Sequence, residues 1–506
     1  MKVSTSHPVL TILATLGIGL NASAAELPFG AEALTWNPRG SGVERNGDSL
    51  VVTLPQTGSA GLHADIDPSA IAGSCVLARV RARGWDVKKA RESWLGFKFM
   101  MHLVWEDGSQ TWPQAAAETG DFDWREFTMF LDVRGRKLRQ AELTLGLQET
   151  SGKVEFDLAS LRFEEAPPIH PEDDPSVTCH YTPAVAERPR RRGVMSPSRP
   201  MTEDDFVTLH EWYATLLRYQ MVRGWGDVDA NADTEEYAAW VSSKIDHLLD
   251  TVLPLAEKYG IDVVVDLHVP PGGRSADGEM RMFHDARFAE CFVSVWRDIA
   301  RRCKGRKRIY AYDLINEPCQ RRPALPDGDY WSLQARAARE IRAIDPVTPI
   351  ILESDGWDSP EAFSYMRALD LPDILYQAHL YTPHEYTHQG VGGRSMGAVY
   401  PNAEKGWDRD WLRRQLQPVR DFELRHGAKI YIGEFSAAVW APGAEAYLAD
   451  AISIFEDYGW DWSYHAFREW QGWSVEHAGA DPQHVEPAAD TPRKNVLLRG
   501  FSGEGK

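Results

Sequence analysis

Two rhythms of hydrophobic positions divide this chain. From about residue 30 to 163, apolar and polar residues alternate over short runs separated by Gly, Asp and Ser. Examples are Leu50-Val51-Val52-Thr53-Leu54, Val76-Leu77-Ala78-Arg79-Val80 and Ala141-Glu142-Leu143-Thr144-Leu145-Gly146-Leu147. A period of two turns one face of each strand to a core and the other to water, so this region predicts an N-terminal β-sandwich. From Gly193 onward the rhythm changes to short apolar runs separated by longer amphipathic segments, the pattern of βα units. Eight candidate strands follow: Gly193–Met195, Leu216–Tyr219, Asp262–Asp266, Ile309–Ile315, Pro349–Leu352, Ile374–Ala378, Lys429–Ile432 and Trp460–Tyr464. Helical patterns fall between them at Glu235–Tyr259, Ala286–Cys303, Trp331–Ile344 and Trp411–His426. This α/β alternation over 193–506 predicts a (β/α)8 TIM barrel rather than an open doubly wound sheet. The stretch 164–192 carries Pro167, Pro168, Pro171, Pro175, Pro183 and Pro189 among charges. It reads as a linker laid over the surface, unable to sustain a ladder or a helix.

Composition narrows the setting. Lys2, the apolar run Val9–Leu20 and the small residues Ala22-Ser23-Ala24 have the layout of a secretory signal over residues 1–24. The run is too short for a membrane anchor, so export to a periplasm or the extracellular space is expected. A formal net charge of −19 disfavours nucleic acid and anionic membrane as partners. Cys75, Cys179, Cys291, Cys303 and Cys319 are scattered and odd in number, without zinc-ligand spacing. At most two disulfides are possible, and buried free thiols are an equal reading. No glycine-rich dinucleotide fingerprint or phosphate loop follows any strand, and no cofactor is implied.

The candidate chemistry lies where polar residues end the strands, because barrel side chains reach the open face there. The third run ends in Asp266-Leu267-His268, the fourth in Asn316-Glu317-Pro318, the sixth in His379-Leu380-Tyr381 and the seventh in Gly433-Glu434-Phe435. Arg218 interrupts the otherwise apolar second strand, and a buried arginine demands a carboxylate partner. Two glutamates converging on one cavity suit glycosidic cleavage. One protonates the leaving oxygen while the other acts from the opposite face, and their separation sets the stereochemistry. His384-Glu385-Tyr386-Thr387-His388 after the sixth strand is not a recognised ligand motif, and no metal is expected.

This ordered set resembles glycoside hydrolase family 5, the cellulase-type barrels with paired glutamates, over residues 193–475. The resemblance implies Glu317 as acid/base, Glu434 as nucleophile, and Asn316 on the sugar 2-hydroxyl. It implies Arg218 and Tyr381 hydrogen-bonded to the nucleophile, with His268 and His379 lining the subsite at the scissile bond. The family usually places a tryptophan at the end of the eighth strand. Trp462-Ser463-Tyr464-His465 puts His465 there, so either Trp470 or Trp473 supplies the missing face or the platform is absent. Residues 152–158 and 161–163 resemble the closing strand of jelly-roll carbohydrate-binding modules. Exposed indoles stack on sugar faces, and Trp225, Trp357, Trp407, Trp440, Trp470 and Trp473 fall in loops of the open face. The expected partner is a neutral β-linked polysaccharide or oligosaccharide, and the expected activity is that of an endo-β-1,4-glucanase. The alternatives are a hydrolase of mannan, xyloglucan or short β-glycosides, or a catalytically silent carbohydrate-binding protein.

Overall fold

The computed structural model describes residues 30–503 except 93, 135–136, 171–172, 226–228 and 276–277. The expected export signal lies outside the described residues.

The first region is an antiparallel sheet folded over on itself. Its strands are β1 (Trp36–Arg39), β2 (Val43–Asn46), β3 (Ser49–Ile66), β4 (Cys75–Val87), β5 (Gly96–Trp105), β6 (Gln110–Thr111), β7 (Gly120–Asp132) and β8 (Leu138–Glu165). β3 and β8 are long enough to run through both layers. In one layer β8 lies between β3 and β5; in the other it lies between β3 and β4, which carries β7 outside it. The bend needs Gly152, whose φ is +130° and where a Cβ would sit 2.7 Å from Val87 Cα. The layers close on Phe97, whose ring lies 4.4 Å from Phe127 and 5.3 Å from Phe156, centroid to centroid.

The second region is a closed parallel barrel of β9 (Arg192–Met195), β10 (Leu216–Gln220), β11 (Asp262–Asp266), β12 (Ile309–Asp313), β13 (Ile350–Glu353), β14 (Ile374–Leu380), β15 (Lys429–Phe435) and β16 (Asp461–Tyr464). The eight expected strands are these eight. β14 and β15 run further than their apolar stretches suggested, into His379 and Glu434, and β12 stops earlier. The helix expected over 235–259 contains a wider turn at Leu248–Val252, next to Pro254, which has no N–H to donate.

The period of two along each strand stacks the barrel interior in layers. The lower layer is apolar and holds Leu216, Val264, Ala311, Ile351, Leu375 and Tyr431. Two residues on, the same strands present Arg218, Asp266, Asp313, Glu353 and Gln377, all buried. Above them the open face begins.

The expectation for 164–192 needs correction. Pro183–Ala186 forms a short helix, and Val185 and Tyr181 pack into the lower layer, closing the barrel floor. The Tyr181 hydroxyl donates to the Ile374 carbonyl at 2.8 Å, and Asp373 accepts from the Thr182 N–H at 2.7 Å. Proline fits here because helix N1 needs no N–H donor. All five cysteines are free thiols. Among the described residues no helix is long and apolar enough to cross a membrane.

Candidate active site

Arg218 organises the polar layer. Its Nε donates to Asp313 Oδ2 at 2.8 Å, and Nη1 donates to Glu434 Oε1 at 2.6 Å. Nη2 donates to Glu353 Oε1 at 2.9 Å and to Asn316 Oδ1 at 3.0 Å. Asp266 Oδ1 lies 3.4 Å from Nη2. One buried cation therefore faces four buried carboxylates. Several kcal/mol per uncompensated buried ion is the usual scale of desolvation, so some of these acids hold protons instead. Burial pushes Asp313 up to about 6 against the pull of Arg218. Burial, with Asp313 and Asp358 nearby, pushes Glu353 well above the ordinary carboxylate range.

Glu434 goes the other way. Burial opposes its ionisation, yet the charges of His379, His465, Arg218 and His268 hold it well below the usual range. Its Oε2 accepts from the Tyr381 hydroxyl at 2.8 Å. Strict alternation would turn Glu434 outward after Tyr431 and Gly433. The register between β14 and β15 slips at Ala378/His379 instead, so that His379 pairs with Glu434. Gly433 leaves room for this, since a Cβ there would lie 2.3 Å from Gln377 Nε2.

Glu317 sits on the turn after β12 with φ of 53°, a left-handed conformation that non-glycine residues adopt at a cost of order 1–3 kcal/mol. The turn is held from both sides. The Glu317 N–H donates to Glu353 Oε2 at 2.6 Å, and Arg274 Nη2 donates to the Asn316 and Glu317 carbonyls at 2.9 Å. Glu317 Oε1 lies 3.0 Å from His379 Nδ1. Glu317, His379 and Glu434 each offer an atom within 4.8 Å of the other two, so the two glutamates face each other across one small space.

His379 is buried between them. Burial disfavours its cation, but Glu434, Glu317 and Asp358 raise it to about 9. His268 is held by Asp266 Oδ2 at 2.8 Å, and its ring lies 5.5 Å from Trp225. Asn316 Nδ2 and Gln220 Oε1 are buried without a protein partner. His465 sits beside Tyr381, 3.6 Å from Glu434 Oε2. The indole against it is Trp473, 5.8 Å away, and Trp470 packs edge-on outside Trp473 at 5.4 Å. Trp470 is therefore one ring removed from His465. Of the six loop tryptophans, Trp225, Trp357 and Trp470 are exposed, while Trp407, Trp440 and Trp473 are buried packing.

The structure thus gathers Arg218, His268, Asn316, Glu317, His379, Tyr381, Glu434 and His465. Sequence reasoning missed Gln220, Asp313, Glu353, Asp358, Gln377 and Glu469. Asp313, Glu353 and Gln377 were findable, because each occupies an inward strand position level with Arg218. Asp358 and Glu469 lie in irregular loops with no such marker. A metal ion beside Glu317, His379 and Glu434 would have to displace the Glu317–His379 hydrogen bond. Glu385 turns away from His384 and His388 to pair with Lys405 at 2.7 Å.

Residues 187–470 match the family model described as Cellulase (glycosyl hydrolase family 5). Endoglucanase C of Acetivibrio thermocellus is 25% identical over 298 residues, covering 52% of this chain and 84% of that protein. Cellodextrinase A of Ruminococcus flavefaciens is 28% identical over 196 residues, covering 37% of this chain and 56% of its own. A solved structure described as a glycoside hydrolase shares the barrel fold, with TM-score 0.50 and 20% identity over 62% of this chain and 99% of that one. The chain belongs to glycosyl hydrolase family 5 and is a glycoside hydrolase of β-glycosidic bonds.

Proposed function

We propose that the enzyme is a retaining endo-β-1,4-glucanase, with Glu434 as nucleophile and Glu317 as acid/base. The observation that carries this is the approach of the two carboxyl groups, oxygen to oxygen within 4.8 Å. Carboxyls about 5–5.5 Å apart leave room for an anomeric carbon but not for the extra water of inversion, which needs roughly 6.5–9.5 Å. Glu434 is ionised and attacks the anomeric carbon while the Glu317 proton passes to the departing glycosidic oxygen. The covalent ester neutralises Glu434, so Glu317, now a carboxylate, takes a proton from water as that water attacks the same carbon. Asn316 Nδ2, a buried donor without a protein partner, is free for a sugar hydroxyl. The relatives named endoglucanase and cellodextrinase support a β-glucan substrate. His465 in place of a stacking indole favours a second reading, a hydrolase of mannan, xyloglucan or short β-glycosides. NMR of the first product from a panel of defined oligosaccharides tests both readings. Cello-oligosaccharides are expected to be cut internally to give the β-anomer first. An α-anomer first would refute double displacement, and faster cleavage of a mannan or xyloglucan oligomer would move the substrate to that class.

The N-terminal region serves, in the same proposal, as an exported enzyme's glycan-binding module joined to the barrel by 164–192. Trp94 and Trp112 are more than half exposed, and Trp112 stacks flat on His102 at 5.3 Å with ring planes 2° apart. Such rigid indole faces suit sugar rings. Trp94→Ala with Trp112→Ala is expected to weaken binding of the intact protein to insoluble β-glucan about tenfold, at an aromatic-stacking scale of roughly 0.5–1.5 kcal/mol per ring. Hydrolysis of a short soluble substrate should not change. Undiminished binding would remove this role.

A further inference from the structure

One half-buried carboxylate beside the site has no part in the double displacement described above. Glu469 Oε2 lies 2.8 Å from His465 Nε2, and its Oε1 accepts from Gln220 Nε2 at 3.3 Å. The segment bearing it is pinned, because Arg468 bonds Asp204 and Asp205 of the helix Glu203–Glu211 and Glu476 beyond. His465 Nδ1 is hydrogen-bonded to the Tyr381 hydroxyl.

The directions of these bonds follow from counting protons. Tyr381 has one hydroxyl proton and gives it to Glu434 Oε2. Its oxygen then accepts from His465 Nδ1, which must carry a hydrogen. His465 Nε2 faces a carboxylate, so it carries one as well. The ring is an imidazolium donating on both sides, and a continuous chain runs from Glu469 through His465 and Tyr381 to Glu434.

We propose that Glu469 is a positioning residue for hydrolysis: through His465 and Tyr381 it fixes the orientation of the Glu434 carboxylate. The proposal rests on Glu434 being the nucleophile. Arg218 holds Oε1 and Tyr381 holds Oε2, so both oxygens are fixed only while the chain is intact. Without the negative charge of Glu469, the imidazolium loses its proton at lower pH. The neutral ring keeps its hydrogen on Nε2, donating to the amide oxygen that replaces the carboxylate. Nδ1 therefore becomes an acceptor, competes for the Tyr381 proton and draws the hydroxyl away from Glu434.

The groups around the ring support this balance. Facing or near His465 are Glu434 from β15, Tyr381 and His388 from the loop after β14, Glu317 after β12 and Glu469 itself, and His268 after β11 acts on Glu469. Burial opposes the cation, but Glu434 and Glu469 raise its affinity for the proton above the ordinary imidazole value. Burial likewise opposes ionisation of Glu469, and His465 holds it down. His388, pushed down to about 2 by burial, is neutral at working pH and does not compete.

The test is the full-length Glu469→Gln variant, with Glu469→Asp as the charge-preserving control. The His465 imidazole is titrated by NMR, and the pH dependence of kcat is followed on a soluble cello-oligosaccharide. In Glu469→Gln the His465 midpoint is expected to fall by about one unit or more, the usual effect of removing an adjacent opposite charge. The alkaline limb of kcat should fall with it, giving about fivefold lower kcat at the wild-type midpoint for a one-unit fall, with KM within about twofold. Glu469→Asp should restore most of both. An unmoved His465 midpoint, or a moved midpoint with an unchanged alkaline limb, overturns the proposal. The titration needs no substrate, so it still reads the Glu469–His465 link if Glu434 proves not to be the nucleophile.

Discussion

Glu434→Ala is expected to lower turnover of a soluble β-1,4-glucan by about four orders of magnitude or more, roughly 5–6 kcal/mol of barrier. The fold should survive. Arg218 keeps Asp313, Glu353 and Asp266 as partners, and His379 and His465, which lose the Glu434 charge, can give up a proton instead of standing as unpaired cations. Melting within a few degrees of wild type would therefore accompany almost complete loss of activity. A cavity opens where the carboxylate stood, on the side of the sugar opposite Glu317. Azide can occupy it and attack the anomeric carbon while Glu317 still protonates the leaving oxygen. Added azide should thus restore turnover of an activated aryl β-cellobioside and give the α-glycosyl azide, because a single displacement inverts the carbon. Activity near wild type, or rescue yielding the β-azide, would show that Glu434 is not the nucleophile.

The sequence carried the barrel well because its signal is redundant. Eight apolar runs alternate with amphipathic segments, and either periodicity alone points to βα units. The polar strand ends were legible for the same reason, since Asn316-Glu317 and Gly433-Glu434 break strongly apolar strands. What stayed hidden depends on register and on loops. Alternation along β13 turns Glu353 inward two residues after Ile351, but only the closed barrel shows it holding the Glu317 N–H. The slip that turns Glu434 inward cannot be read from alternation, which would place it outside. Asp358 and Glu469 enter the site from irregular segments, Asp358 with φ of 53° beside Trp357 at 66°. Tyr181 and Val185 plug the barrel floor from a stretch whose prolines suggested only a linker. Proline excludes a ladder but not a first helical turn, and composition does not show which way a side chain packs.

Glu317→Ala should have an effect that depends on the leaving group. A natural glucan leaves as a poor alkoxide, so losing the proton donor is expected to cost about 10³–10⁴-fold in kcat/KM, the upper range for general acid catalysis. A dinitrophenyl β-cellobioside leaves without help. Its kcat/KM, which reports the first step, should fall by about tenfold or less. The second step still needs a base for water, so the glycosyl-enzyme accumulates. A burst of dinitrophenol equal to the enzyme concentration should precede a slow steady state. Azide needs no base and should accelerate that steady state, attacking the ester with a second inversion to give the β-glycosyl azide. The anomers from the two alanine variants are therefore opposite, α from Glu434→Ala and β from Glu317→Ala. Equal losses on glucan and aryl glycoside, without a burst, would mean that Glu317 supports the site rather than moving the proton.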